Sequence, residues 1–208
     1  GLAPGQGCGK RAAIILAAGR GRRCAGGDKL LADFCGAPVM RWTTSAVTLA
    51  GIGAILVVAG ADDEARRSTI ADLGVRFAVN PAPDDGQSSS IVHGIAALTD
   101  DCDGAIIVPA DMPALSTTLI ERAIHGFLDR QGECIVHFAV AGALRPPVIW
   151  PRALFGELAA LRGDGGGKSI VARHAHLTHP IDVSPRDAWR LCDIDTRADL
   201  AALFARVK

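Results

Sequence analysis

The residues best suited to chemistry lie in two short stretches. The first is Ile14 to Leu31, I-I-L-A-A-G-R-G-R-R-C-A-G-G-D-K-L-L, where an aliphatic run gives way to a glycine-rich loop carrying Arg20, Arg22, Arg23 and Lys29. Glycine lets backbone N–H groups approach an anion, and the nearby cations supply neutralising charge, so the pattern suits a polyphosphate. The second is Val108-Pro109-Ala110-Asp111-Met112-Pro113, an aspartate leaving an apolar run between two prolines. A carboxylate so placed suits a hard divalent cation such as Mg²⁺, whose shell substrate phosphates complete. Each stretch alone has a plainer reading, a basic surface loop or Asp-x-Pro turn chemistry. Together, metal plus phosphate is the better account.

Both stretches need elements behind them, and the chain alternates accordingly. Short aliphatic runs predict buried strands at Ala12–Leu16, Ala54–Ala59, Val75–Val79, Gly104–Val108 and Cys134–Val140. Between them, helical spacing covers Pro38–Leu49, Asp62–Leu73, whose first turn is acidic as the helix dipole favours, and Ser88–Leu98, opened by serines suited to capping. Ser116 is expected to cap a further helix to about Asp129. This β-α-β-α rhythm predicts an α/β fold, a Rossmann-like, mostly parallel sheet with helices on both faces. In such sheets ligands sit outside the carboxyl ends of the strands, where both chemical stretches begin.

A chain of 208 residues suffices for one α/β domain, expected to be 1–208, with 1–10 as a flexible N-terminal extension. Formal net charge is zero, so the loop's basic residues are a site and not a field, and nucleic acid is not an expected partner. The six cysteines are scattered without a C-x-x-C pair, which predicts reduced thiols. No apolar run approaches the ~20 residues of a membrane span and no signal-peptide pattern opens the chain, so a cytoplasmic protein without membrane contact is expected.

Some tempting motifs fail. Gly163 to Ser169 looks like a Walker A loop, but its first glycine would have to stand at Arg162, and it follows the helical stretch Ala153–Leu161 where a strand is required. Gly19 and Gly21 begin a dinucleotide fingerprint that Cys24 breaks. The spacing of His174, His176 and His179 suits no helix-face metal site, and His93 falls midway along an expected helix. These histidines read as solvated or structural.

The loop L-A-A-G-R-G-R-R-C-A-G-G-D-K-L-L resembles the signature of nucleotidyltransferases that activate phosphorylated compounds with an NTP. It is most similar to the molybdenum cofactor cytidylyltransferases, within the molybdenum-cofactor-guanylyltransferase-like group. Further segments resemble the family in order: Gly86-Gln87-Ser88-Ser89-Ser90 its serine-rich motif, and Pro109 to Pro113 its metal aspartate. Arg145 to Val148, Pro151 to Phe155 and Gly163 to Gly166 resemble its substrate side, and Asp193 to Thr196 with Ala198 to Leu200 its closing motif. The chain departs from the pattern at Cys24-Ala25, where Met-Gly is usual, and at Pro147, where Asn or His usually precedes Pro-Val. Asp28 resembles the guanylyl proteins, and Leu16-Ala17-Ala18-Gly19 the cytidylyl ones.

The resemblance implies a nucleotide-diphospho-sugar-transferase-like fold and a Mg²⁺-dependent enzyme. It would transfer NMP from an NTP, CTP favoured, to a phosphorylated acceptor, molybdopterin favoured, with a molybdoenzyme as a possible client. Backbone around Leu16, Ala17, Ala18, Gly19 and Gly21 would cradle phosphates, and Arg23 and Lys29 would offset their charge. Asp111 would hold Mg²⁺ with Asp195 as second ligand, while Gln87, Ser88 and Ser89, with Ser90, would bond the base, ribose or acceptor. Asp28 would either accept hydrogen bonds from guanine or act as a counter-charge orienting Lys29. A guanylyltransferase, a sugar-phosphate or isoprenoid-precursor nucleotidyltransferase, and a non-catalytic cofactor-binding accessory protein remain as alternatives.

Overall fold

The aliphatic runs form the strands of one seven-stranded sheet. In the computed structural model, which describes residues 10–19 and 27–207, they are joined by helices as the periodicity predicts. The first half runs β1 (Lys10–Leu16), a small hairpin of β2 (Asp33–Phe34) and β3 (Ala37–Pro38), α1 (Val39–Leu49), β4 (Ala54–Gly60), α2 (Glu64–Ser68), β5 (Arg76–Asn80) and α3 (Gln87–Ala96). The second half runs β6 (Cys102–Pro109), α4 (Thr117–Leu128), β7 (Ile135–Val140), β8 (Ala143–Pro151), α5 (Phe155–Ala159), α6 (Lys168–Arg173), β9 (Thr178–Asp182) and α7 (Arg197–Val207). Strand order is β5-β4-β1-β6-β8-β7-β9, with β8 antiparallel to both of its neighbours and the remaining pairs parallel.

Side chains alternate across the sheet with the period of two that a strand imposes. Ala13 and Ile15 of β1 enter one core with Met40, Val47, Ile120 and Phe127 from α1 and α4. Ile14 enters the other, with Ile91 and Ile95 of α3 and Leu158 of α5. Helices therefore cover both faces, and the central stretch of β1, Ala12–Leu16, has no polar side to show. Gly94 lets α3 lie directly on this sheet, since a Cβ there would stand 2.5 Å from Ile14 Cγ2.

Several expectations are corrected. Lys10 belongs to β1 and not to an N-terminal extension, while residues 1–9 lie outside the described residues. The helix expected over Asp62–Leu73 is a short α2 followed by a 3₁₀ turn, Ala71–Leu73. Its end carbonyls are taken by hydroxyls: Ser68 Oγ donates to Ala65 O and Thr69 Oγ1 to Arg66 O, a competition that unwinds helices. The serines do not cap α3. Gly86, at φ +87°, holds the cap position and Gln87 opens the helix. Ser116, by contrast, caps α4 as expected, accepting from Leu119 N. Sequence pattern missed β8 and β9, whose prolines and histidines conceal the strand alternation in L-R-P-P-V-I-W and T-H-P-I-D.

Among the described cysteines, Cys35, Cys102, Cys134 and Cys192 are all free thiols. Among the described residues no helix is long and apolar enough to cross a membrane.

Candidate active site

β1 and β6 are adjacent and in register, Leu16 pairing with Pro109, so the two chemical stretches leave the sheet at the same level. The backbone beyond them is held tightly. Ala110 N donates to Leu16 O, and buried Thr43 on α1 donates its hydroxyl to Ala110 O at 3.0 Å. The Asp111 carbonyl accepts from Ile194 N at 2.9 Å, which brings the C-terminal segment alongside. That segment is fixed in turn by a reciprocal cap at the start of α7. Thr196 N donates to Asp199 Oδ2 at 2.7 Å, and Asp199 N donates to Thr196 Oγ1 at 3.1 Å.

The result is a cavity of about 450 Å³ at the carboxyl ends of the strands. Leu16, Gly19, Lys29, Gln87, Asp111 and Asp195 line it. Ala17 and Ala18 are buried and are not among its lining residues, and Gly21 and Arg23 lie outside the described residues. Ser88 and Ser89 do not line it. Ser88 is fully buried, and Ser89 Oγ closes the turn into α3, 2.9 Å from both Ala82 O and Gly86 O, which share its one proton. Ser90 reaches the cavity instead. The reason is helical geometry, since the residue facing the same way as Gln87 stands three positions on.

Lys29 Nζ lies 2.6 Å from Asp111 Oδ2 and 3.0 Å from Asp195 Oδ1. Burial alone would lower its pKa, but the two carboxylates reverse that and hold it above the ordinary lysine value. Burial pushes the Asp111 carboxyl above its ordinary value, and Lys29 offsets only part of the rise. Asp111 Oδ1 is buried with no hydrogen-bond partner among the described residues. Ligand oxygens of Asp111, Asp193 and Asp195 all lie within 4.8 Å of one another. An orphaned buried carboxylate oxygen within a three-aspartate cluster is a donor set fitted to a hard divalent cation. Asp193 stands in the segment that resembles the family's closing motif, but sequence reasoning assigned only Asp195 of that segment to the metal.

Asp28 does not orient Lys29 as its counter-charge. Its Oδ2 accepts from Arg66 Nε at 2.5 Å, and its Oδ1 accepts from Leu30 N at 2.9 Å. Arg66 was also missed, because one arginine of an Arg-Arg pair in a charged helix reads as solvated surface, yet it is 5% exposed.

A smaller hollow of about 120 Å³ adjoins the cavity, sharing Leu16, Gln87 and Pro109 with it. Its walls are Pro146, Val148 and Trp150 of β8 and the glycines 165–167. Gly163–Ser169 is thus no Walker loop. Gly163 O receives Ser88 N at 3.2 Å, and Asp164 lines the main cavity. The histidines stay outside the site. His174 Nε2 pairs with Glu157 at 2.6 Å, and His93 bonds Ser89 O within α3.

Comparison with known proteins bears on the family and the fold. The model of the MobA-like NTP transferase domain matches residues 13–178. The chain is 30% identical over 165 residues to the molybdenum cofactor guanylyltransferase of Cereibacter sphaeroides, covering 77% of this chain and 80% of that one. It is also 32% identical over 117 residues to the bifunctional protein GlmU of Trichlorobacter lovleyi, but there the match spans only 24% of the relative's length. Among solved structures, Rv0371c of Mycobacterium tuberculosis H37Rv superposes with a TM-score of 0.80 at 24% identity, over 96% of this chain and 100% of that one. With the parallel sheet, the strand-end cavity and the family match in agreement, the chain belongs to the MobA-like NTP transferase domain family of nucleotidyltransferases.

Proposed function

We propose that this protein is a divalent-cation-dependent enzyme that transfers a nucleotidyl group from an NTP to a phosphorylated acceptor of the molybdopterin type. The observation that carries this reading is the convergence of Lys29, Asp111 and Asp195 in one cavity at the ends of β1 and β6. An accessory protein that merely binds a nucleotide needs no buried aspartate with an unpartnered oxygen. In the reaction, an acceptor phosphate oxygen forms a bond to the α-phosphorus in line as the bond from that phosphorus to the bridging oxygen breaks, and pyrophosphate leaves. Little covalent chemistry falls to the protein, so orientation and charge neutralisation carry the rate.

Asp111 and Asp195, with Asp193 beside them, would hold Mg²⁺, which when bound neutralises phosphate charge and orients the reacting oxygens. Lys29 presents its ammonium at the same place and offsets the charge that builds as pyrophosphate departs. Gln87 and Ser90, on the first turn of α3, face the cavity and are suited to bonding ribose or base. The apolar hollow beside Trp150 suits the ring system of the acceptor.

GTP is the donor supported by a relative that matches more than three quarters of the chain's length, a molybdenum cofactor guanylyltransferase. CTP is the second reading, carried by the Leu16-Ala17-Ala18-Gly19 start of the loop, whose first and last residues line the cavity. Incubation with each of the four NTPs and molybdopterin or common phosphorylated acceptors, scored by pyrophosphate, tests the reaction class. Equimolar CTP and GTP in one reaction, with each nucleotidylated product counted, decides the donor. Absence of pyrophosphate from every combination would overturn the reading.

A further inference from the structure

We propose that Arg66 is a positioning residue for nucleotidyl transfer, clamping the backbone before the glycine-rich loop to the Asp28 carboxylate after it so that Lys29 meets Asp111. The proposal rests on the function proposed above. Arg66 belongs to α2, on the neighbouring strand's connection, and contributes nothing to the cavity lining. Its guanidinium makes four hydrogen bonds. Nη1 donates to Ala17 O at 2.5 Å and to Asp63 Oδ2 at 3.2 Å, Nη2 to Gly19 O at 3.0 Å, and Nε to Asp28 Oδ2 at 2.5 Å. Ala17 and Gly19 precede the loop and Asp28 follows it, so one planar group sets the separation between its two described ends.

The consequence reaches the chemistry through one residue. Asp28 is held by Arg66 on one oxygen and by Leu30 N on the other, with Lys29 between them, its ammonium 2.6 Å from Asp111. Both Asp28 oxygens are thereby engaged, and Asp28 lies off the main cavity, so it acts as the loop's anchor and not as a reader of the nucleobase. A buried arginine with only a structural duty would need carboxylate partners, which Asp28 and Asp63 supply. The two further bonds, to the carbonyls that frame the start of the loop, have no bearing on charge balance. Their geometry requires a flat fork of donors, which lysine does not offer.

The test uses the full chain and reads pyrophosphate release with GTP and with CTP, together with affinity for each nucleotide by calorimetry without acceptor. Arg66→Lys is expected to retain a cooperative thermal transition while raising KM and Kd for both nucleotides about tenfold or more, since a displacement of ~1 Å at a reacting group is enough for such losses. Asp28→Asn, which keeps shape but breaks the ion pair, is expected to weaken GTP and CTP in equal proportion. A folded Arg66→Lys with KM, kcat and Kd all within about twofold of the wild type would overturn the clamp, as would a loss of thermal stability alone. An Asp28→Asn effect confined to one nucleotide would also overturn it, because Asp28 would then read the base. If Arg66→Lys does not fold, Asp28→Asn decides by the same criteria. Wild-type protein that binds nucleotide but releases no pyrophosphate defeats the proposed function and leaves the clamp to be judged on Kd, whereas a wild type binding neither nucleotide defeats both.

Discussion

Lys29 Nζ and Asp111 Oδ2 stand 2.6 Å apart although 82 residues separate them in sequence. They meet because β1 and β6 are parallel neighbours ending level, Leu16 beside Pro109. A cation suited to phosphate and a carboxylate suited to metal thus neutralise each other within the cavity they line. That relationship shapes what their removal does.

Lys29→Ala is expected to cut nucleotidyl transfer by ~10²–10³-fold, the range for losing one well-placed charge-stabilising donor. It also strips a largely buried carboxylate of its partner, so folding stability falls by about 1–3 kcal/mol. Added Mg²⁺ should raise the melting temperature of the variant more than that of the wild type, because the aspartates it leaves behind favour any cation. Wild-type turnover at saturating NTP would exclude the assigned role, and an unchanged Tm response to Mg²⁺ would exclude the aspartates as a metal site.

Asp111→Asn preserves size while removing the charge. Activity should fall by on the order of 10²-fold or more, and EDTA should abolish turnover of the parent protein. Thermal stability should move by no more than ~1 kcal/mol, since the neutral amide is relieved of the burial that raises the carboxyl. Metal-independent turnover would refute this role for Asp111.

Gly86→Ala should be costly in both respects. At φ +87° and ψ −178° the backbone is one that side chains avoid, and an added Cβ would stand 2.0 Å from Asp164 Oδ1. A cost of ~1–3 kcal/mol in stability is expected from the backbone, together with lost activity as Asp164 is driven from its place in the cavity wall. Gly74→Ala is the control, also left-handed at φ +68° but with nothing within 4 Å of the new Cβ. It should lower Tm without changing turnover, and equal activity losses in the two variants would contradict the assignment.

Arg41 grips Asp72 with two parallel bonds of 2.7 Å and also donates to Thr69 O, tying α1 to the turn after α2. The guanidinium holds the Asp72 carboxyl down at about 2. A carboxyl whose folded value lies below its unfolded one contributes stability above the unfolded value, near 4, and loses it as pH falls toward the folded value. Asp72→Asn should therefore melt slightly below the wild type at pH 7, with the gap closing between about pH 4 and pH 2. The pair is exposed, so the gap is small. A difference unchanged by acid would show that the pair is not its source.

Sequence by itself determined the central strands and the chemistry at their ends. Ala12–Leu16 and Gly104–Val108 are apolar on both faces, which leaves a buried parallel strand as their only favourable place, and strand ends are where such sheets bind ligands. Lys29 and Asp111 were legible because a cation after glycines and an aspartate after an apolar run are local patterns, whereas Asp195 was reached only through the resemblance of its segment to the family's closing motif. The serine motif was legible as a segment, but which serine faces the cavity was set by where α3 begins, and its cap, Gly86, stands two residues before the first serine. Asp193 and Arg66 required the tertiary structure, since their meaning lies in contacts with Asp111 and Asp28 far away in the chain. An isolated arginine in a charged helix carries no sign of burial. Burial comes only when the connections after β1 and β4 are packed side by side, and their carbonyls and carboxylates then need a shared donor.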